Sequence, residues 1–244
     1  MLSVRFRLLA AGWVGLLLAA AAPPSPDAVA LLLEQVKVEA SFYGRSFLTR
    51  EISPRLLTSM SQVPRQEFVP EGAQAWVWEN RSIVVGHGRT LPAPYVSALF
   101  AEMLDAGPGA RVLEVGTGTG YQAALLSPLV RQVFTVEPVG ALAEEARARL
   151  ARLGYGNVSV RAGEGLDGWR EEAPFDAILV TLAVSEVPPA LVEQLKPGGV
   201  LLLPLAQGGG SPYLSIVRKT VKGKVRGRPQ PLMAVTVEAL PAPH

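Results

Sequence analysis

Between residues 110 and 205, short apolar runs alternate with amphipathic ones, and that alternation restricts the chain to few folds. Strand-like runs fall at residues 110–115, 132–137, 157–161, 175–181 and 200–205. Helix-like runs lie between them at 121–129, 141–153 and 189–195. Near-continuously apolar strands have to be covered on both faces. The pattern therefore predicts an α/β fold with a doubly wound, mostly parallel sheet between helical layers. Two further alternating runs, 213–221 and 231–239, flank Lys222-Gly223-Lys224 and predict an antiparallel hairpin closing one sheet edge. Upstream, 28–39 and 53–60 have helical spacing, the second opening on Ser53-Pro54, where proline is welcome at the first helical position. Residues 23–27 read as a linker and 76–85 as irregular. Residues 94–104 return to helical periodicity, with Tyr95, Leu99 and Met103 on one stripe.

The first strand runs into Glu114-Val115-Gly116-Thr117-Gly118-Thr119-Gly120-Tyr121. A buried strand feeding a glycine-rich turn lets backbone approach a ligand closely, which only residues without Cβ permit. The dinucleotide fingerprint is G-x-G-x-x-G, but Tyr121 stands where its third glycine belongs. Glu114 would also sit poorly beside a pyrophosphate. An acid ahead of G-x-G-x-G suits a cationic ligand without phosphate, and S-adenosyl-L-methionine answers that description. Glu137 ends the second strand, where an acid in a doubly wound sheet accepts hydrogen bonds from ribose hydroxyls. Glu164, held between Gly163 and Gly165 after the third strand, is placed to meet an adenine amino group. Asp176 reads as an orienting partner for backbone amides, and Thr181 and Leu182 close the fourth strand near the reacting methyl.

Composition narrows the alternatives. A chain of 244 residues, 49% hydrophobic and 18% charged, is globular and fits one sizeable domain with an extension. A formal charge of +2 without a long basic stripe gives no case for nucleic acid. With no cysteine, disulfides and thiolate chemistry are excluded, and two histidines argue against a metal site. The N-terminus has its own pattern: Arg5 and Arg7, an apolar run over 8–22, then Pro23-Pro24. It reads as a secretory signal peptide over residues 1–22, the alternative being an uncleaved anchor. Cleavage makes the protein exported or periplasmic. An uncleaved leader makes it membrane-anchored or cytoplasmic, and is its only expected tie to a membrane.

Several motifs now coincide. Val63-Pro64-Arg65 with Phe68-Val69-Pro70, the glycine loop from Val112 to Ala124, Gly163-Glu164-Gly165, Ala173-Pro174-Phe175-Asp176 and Lys196-Pro197-Gly198-Gly199 resemble the protein-L-isoaspartate O-methyltransferase family. The resemblance covers residues 52–218, in order and with family spacing. It implies a seven-stranded sheet of the class I methyltransferase type, with an antiparallel C-terminal hairpin and an N-terminal helical extension. Residues 23–93 would be that helical and acceptor-loop extension, and 94–244 the donor-binding domain. The implied donor site is Glu114, Gly116, Thr117, Gly118, Gly120, Glu137 and Glu164. The implied activity is esterification of isoaspartyl residues in damaged protein, the first step of their repair.

The acceptor motif departs from the family pattern. Gly86, Gly88, Thr90, Pro94 and Tyr95 are kept, but Asn80 replaces an Asp, Arg89 a Gln, Pro92 a Ser and Ala93 a Gln. Glu164 replaces an Asp. The acceptor carboxylate, with a pKa of about 4, needs no general base, so no catalytic residue is assigned. His87 and Arg89 either pair with that carboxylate or line an exposed loop. Two other functions stay open: a methyltransferase of altered substrate, and a non-catalytic exported homologue that binds the donor.

Overall fold

The structure, a computed structural model, describes residues 25–47, 51–206, 210–224, 229–235 and 237. The leader, residues 1–22, lies outside them, as do parts of the C-terminal hairpin. Helices α1 (Pro26–Phe47) and α2 (Pro54–Gln62) come first, then strands β1 (Ile83–Gly86) and β2 (Arg89–Leu91) and helix α3 (Pro94–Leu104). The alternating region follows as β3 (Arg111–Val115), α4 (Tyr121–Leu126), β4 (Gln132–Glu137), α5 (Gly140–Arg152), β5 (Val158–Ala162), β6 (Phe175–Val180), α6 (Pro189–Glu193) and β7 (Leu195–Leu205). β8 (Tyr213–Arg218) and β9 (Gln230–Ala234) end the described fold.

The seven-stranded sheet has the order β5-β4-β3-β6-β7-β8-β9. Pairings from β5 to β7 are parallel, and β8 and β9 add antiparallel at one edge, as the alternation predicted. The period of two sorts strand residues onto two faces. Leu113, Val115, Phe134, Val136, Ile178 and Val180 build one core cluster. Val112, Val133, Ala177 and Leu179 face the opposite way, into a cluster shared with α1, α2, α3 and α4. By the same parity Glu114, Thr135 and Glu137 lie on this second face, toward the carboxyl ends of their strands.

Two differences from the sequence reading have local causes. Helix α1 begins at Pro26, inside the expected linker, because proline costs nothing in a first turn and Asp27 follows it. The stretch taken as irregular ends in a two-stranded hairpin, β1 with β2. Its turn residues His87 (φ 53°) and Gly88 (φ 67°) are both left-handed, the requirement of a type I′ connection. A histidine in that position carries a weak turn signal, and each strand is too short to show periodicity. Among the described residues no helix is long and apolar enough to cross a membrane.

Candidate active site

Strand order reverses at β3, whose neighbours β4 and β6 lead away in opposite directions. A crevice opens at the carboxyl ends of strands at such a switch point. Here it holds a cavity open to solvent, lined by the glycine loop, Glu114, Glu137, Thr181, Leu182, the hairpin residues 89–92, and Ser97.

The loop is built by its backbone. Gly116, Gly118 and Gly120 have φ of 98°, 53° and 90°, which residues with a Cβ rarely adopt. Gly116 N–H donates to Val136 O at 2.8 Å, and Gly120 N–H to Thr117 O at 2.8 Å before α4 begins. A Cβ on Gly116 would collide with Thr181 Oγ1, whereas the space beside Gly118 is open to 4 Å. The loop therefore packs against β6 at its first glycine and presents bare backbone to the cavity at its second.

Register delivers the acids. Glu114 pairs across β3–β4 with Thr135, so Thr135 Oγ1 donates to Glu114 Oε2 at 2.7 Å. Thr117 Oγ1 lies 2.7 Å from the same Thr135 hydroxyl. Glu114 is fully buried, and its Oε1 has no partner. Burial pushes its carboxyl up to about 8, against the bond from Thr135 and with a smaller push from Glu137. Glu137, also buried, accepts from Gly118 N–H at 2.9 Å and Val139 N–H at 3.2 Å. Its spare lone pairs can still accept hydroxyls. Arg89 Nη2 lies 3.7 Å from Glu137 Oε1, with both side chains buried.

Six of the seven sequence-predicted site residues, Glu114, Gly116, Thr117, Gly118, Gly120 and Glu137, thus gather at one sheet edge, and all but Gly120 line the cavity. Gly120 sits behind it at the start of α4, where a Cβ would press on Leu150 at 3.1 Å. Glu164 is exposed and outside the lining, at the N-terminal edge of a short 3-10 helix after β5. It stays close to the site, since Gly163 N–H bonds Glu137 O at 3.0 Å. Thr181 follows β6 directly, one residue past the strand end, its Oγ1 donating to the carbonyls of Val115 and Gly116. Asp176 receives Arg111 N–H at 2.8 Å and Lys196 Nζ at 2.8 Å, so it is an orienting residue of the sheet.

The hairpin is placed by side chains. Arg65, 0% exposed, donates through Nε to Val77 O (3.1 Å) and through Nη2 to Pro92 O (2.9 Å), with its guanidinium over the Tyr121 ring at 4.6 Å. Asn80 Oδ1 accepts from Tyr95 N–H at 2.9 Å, at the start of α3, while its Nδ2 donates to Glu39 Oε1 at 2.7 Å. His87 and Arg89 separate. His87 is exposed at the turn, 3.7 Å from Glu145, whereas Arg89 is buried in the cavity. Sequence reasoning missed Ser97, Thr119 and Gln122 as lining residues. For Ser97 the one signal was a serine in a mostly apolar helical run.

Comparison with known proteins agrees with this arrangement. Residues 49–237 match the family described as protein-L-isoaspartate(D-aspartate) O-methyltransferase. The chain is 42% identical over 225 residues to protein-L-isoaspartate O-methyltransferase 2 of Syntrophobacter fumaroxidans, spanning 91% of this chain and 88% of that one. It is 43% identical over 209 residues to protein-L-isoaspartate O-methyltransferase 1 of Cupriavidus necator, spanning 86% and 79%. A solved protein-L-isoaspartate O-methyltransferase superposes with a TM-score of 0.71 at 28% identity, covering 86% of this chain and 66% of that one.

Proposed function

The chain belongs to the protein-L-isoaspartate(D-aspartate) O-methyltransferase family, and on that premise we propose how its residues divide the work. It is an S-adenosyl-L-methionine-dependent protein carboxyl methyltransferase that esterifies isoaspartyl residues of damaged proteins, the step that opens their repair.

The observation that carries this reading is the cavity at the β3 switch point. Its polar groups suit the donor. Glu114 offers a buried oxygen without a partner to a cationic group, and Gly118 offers bare backbone where a side chain would intrude. Glu137, already fixed by two backbone N–H groups, offers its remaining lone pairs to ribose hydroxyls. Glu164 stands as the adenine partner on its sequence pattern and its nearness to Glu137. The donor supplies a methyl group on a sulfonium, ready for displacement.

The chain supplies no base, because the acceptor arrives ionised. One carboxylate oxygen forms the new bond to carbon as the carbon–sulfur bond breaks, and the sulfonium leaves as a neutral thioether. No proton moves. Catalysis then rests on alignment and exclusion of water. Alignment falls to the wall formed by the β1–β2 hairpin and Pro92, which Arg65 and Asn80 hold in place. Arg89 sets a cation in the same cavity, opposite the charge of Glu137.

The test uses methyl-labelled donor with paired peptides differing only in an isoaspartyl or aspartyl linkage. Label entering the isoaspartyl peptide alone, as an ester released by mild base, is the expected result. Equal labelling of both peptides, or of neither, would overturn the assignment.

A further inference from the structure

The departure of Pro92 from the family's serine leaves the acceptor wall without a hydroxyl at that position, and the structure places another one nearby. Ser97 lies on α3, one turn in from Pro94, and lines the same cavity as Pro92 and Glu114. It is 1% exposed, and its Oγ has no hydrogen-bond partner. A serine within a helix ordinarily returns its hydroxyl to the carbonyl four residues back. Here Ala93 O accepts only the Ser97 amide, at 3.1 Å. The Ser97 carbonyl is occupied from the other side by Gln122 Nε2 at 3.3 Å, which fixes this turn of the helix against the start of α4.

Most other hydroxyls around the cavity are engaged. Thr117 meets Thr135, and Thr181 bonds two loop carbonyls. Ser97 Oγ and Thr119 Oγ1 are left over as donors, and Glu114 Oε1 as an acceptor. An ionised Glu114 can only accept, so its natural ligand is an ammonium or another cation. A hydroxyl can also donate, and a buried one left idle is costly, so Ser97 can serve an anion where an ionised Glu114 cannot. The site also lies by the N-terminal end of α3, where the helix dipole favours negative charge. Arg89 adds a cation in the same cavity.

We propose that Ser97 is a carboxylate-binding residue of this cavity. The inference rests on the methyltransferase reading and deepens it. That reaction brings two carboxylates to the site, one at the methionine end of the donor and one on the isoaspartyl side chain. A hydroxyl at Ser97 orients one of them.

The experiment compares wild type with Ser97→Ala and with Ser97→Cys, which keeps the volume but loses the strong donor. Calorimetry measures affinity for S-adenosylhomocysteine and for 5′-methylthioadenosine, which lacks the amino-acid end. Kinetics with the isoaspartyl peptide measures KM and kcat. If the donor's carboxylate is the ligand, both variants bind S-adenosylhomocysteine about 10- to 100-fold more weakly while methylthioadenosine binding is unchanged. If the acceptor's carboxylate is the ligand, both affinities are unchanged and KM for the peptide rises by a similar factor. Unchanged affinities with unchanged KM overturn the proposal. So does equal weakening of both nucleosides, which would mark Ser97 as structural only. A wild-type protein that binds neither nucleoside and methylates nothing overturns the methyltransferase reading itself, and this inference with it. Intact wild-type binding beside silent variants overturns this inference alone.

Discussion

The glycine loop after β3 and the β1–β2 hairpin face each other across one cavity, and both depend on left-handed backbone. They are held in different ways. The loop sits in the middle of a parallel sheet, fixed by main-chain bonds, Gly116 N–H to Val136 O and Gly120 N–H to Thr117 O, and by side chains that bond its backbone, Glu137 to Gly118 N–H and Thr181 to Gly116 O. The hairpin is bracketed by side-chain bonds: Arg65 to Pro92 O just after it, and Asn80, just before it, to both Tyr95 and Glu39. A backbone-built wall tolerates little change where its residue types are dictated by φ. A side-chain-built wall can exchange residues when partners change together. The donor motif keeps the family pattern and the acceptor motif departs from it, which is the outcome these two constructions favour.

Substitution at Gly118 is the most severe way to break the donor wall. A Gly118→Val variant has open space for its Cβ in the donor-free protein, so no clash forces unfolding. The cost to folding is strain at φ 53°, about 1–2 kcal/mol. Its side chain fills the ligand's place, however, so methyl transfer should fall by at least about 100-fold, the scale of a misplaced substrate. A thermal melt and the labelled-peptide assay together check this. A variant that stays folded and active would show that the loop does not approach the donor.

Glu114 gives the next largest effect, and its sign is specific. Its carboxyl is raised from the ordinary 4.5 to about 8 by burial, so the folded protein keeps a proton that the unfolded chain releases. Stability therefore falls as pH rises from about 4.5 to about 8, and levels off above that. At about 1.4 kcal/mol per unit, the loss is on the order of 5 kcal/mol. Glu137 and Arg89 face the same cavity and set the remaining charge. Glu114→Gln should lose this slope and be the more stable protein at pH 8, although it binds S-adenosylhomocysteine less well. Denaturant midpoints of both proteins at pH 5 and pH 8 are the measurement. Equal slopes would mean that Glu114 is already ionised without ligand.

How much of this was legible follows the same division. The sheet, Glu114 over Thr135, and Glu137 at the end of β4 could be read because strand parity and the spacing of the glycines are local properties. Asp176 was legible in the same way, as an acid at a strand entrance awaiting backbone amides. The hairpin was not. Three or four residues per strand carry no period, and its turn uses His87 where Asn-Gly or Asp-Gly would have announced it. Nor could Ser97 be found, because whether a helix serine is satisfied depends on the packing of α3 against α4 and the loop. The chain names Arg65 through its Val-Pro-Arg motif but cannot say that its guanidinium spans Val77 O, Pro92 O and the Tyr121 ring.

Asn80 tests whether the acceptor wall really changes by matched partners. The family resemblance sets an aspartate at this position. In the structure Asn80 is a two-sided tie. Its oxygen caps the start of α3 through Tyr95 N–H, and its amide nitrogen donates to Glu39 on α1. An aspartate keeps the first bond, yet turns the second into two carboxylates at hydrogen-bond distance. Asn80→Asp should therefore destabilise the protein by about 1–3 kcal/mol at neutral pH, with less loss near pH 4, where one of the two acids takes a proton. Glu39→Gln introduced beside it restores a donor for the new aspartate, so the double variant should recover most of the loss. The coupling energy between the two positions measures the tie directly. Independent, additive effects would show that Asn80 and Glu39 do not share a bond in solution. The restored pair would instead show that Asn80 and Glu39 are matched partners that hold the start of α3, and with it Ser97, in place.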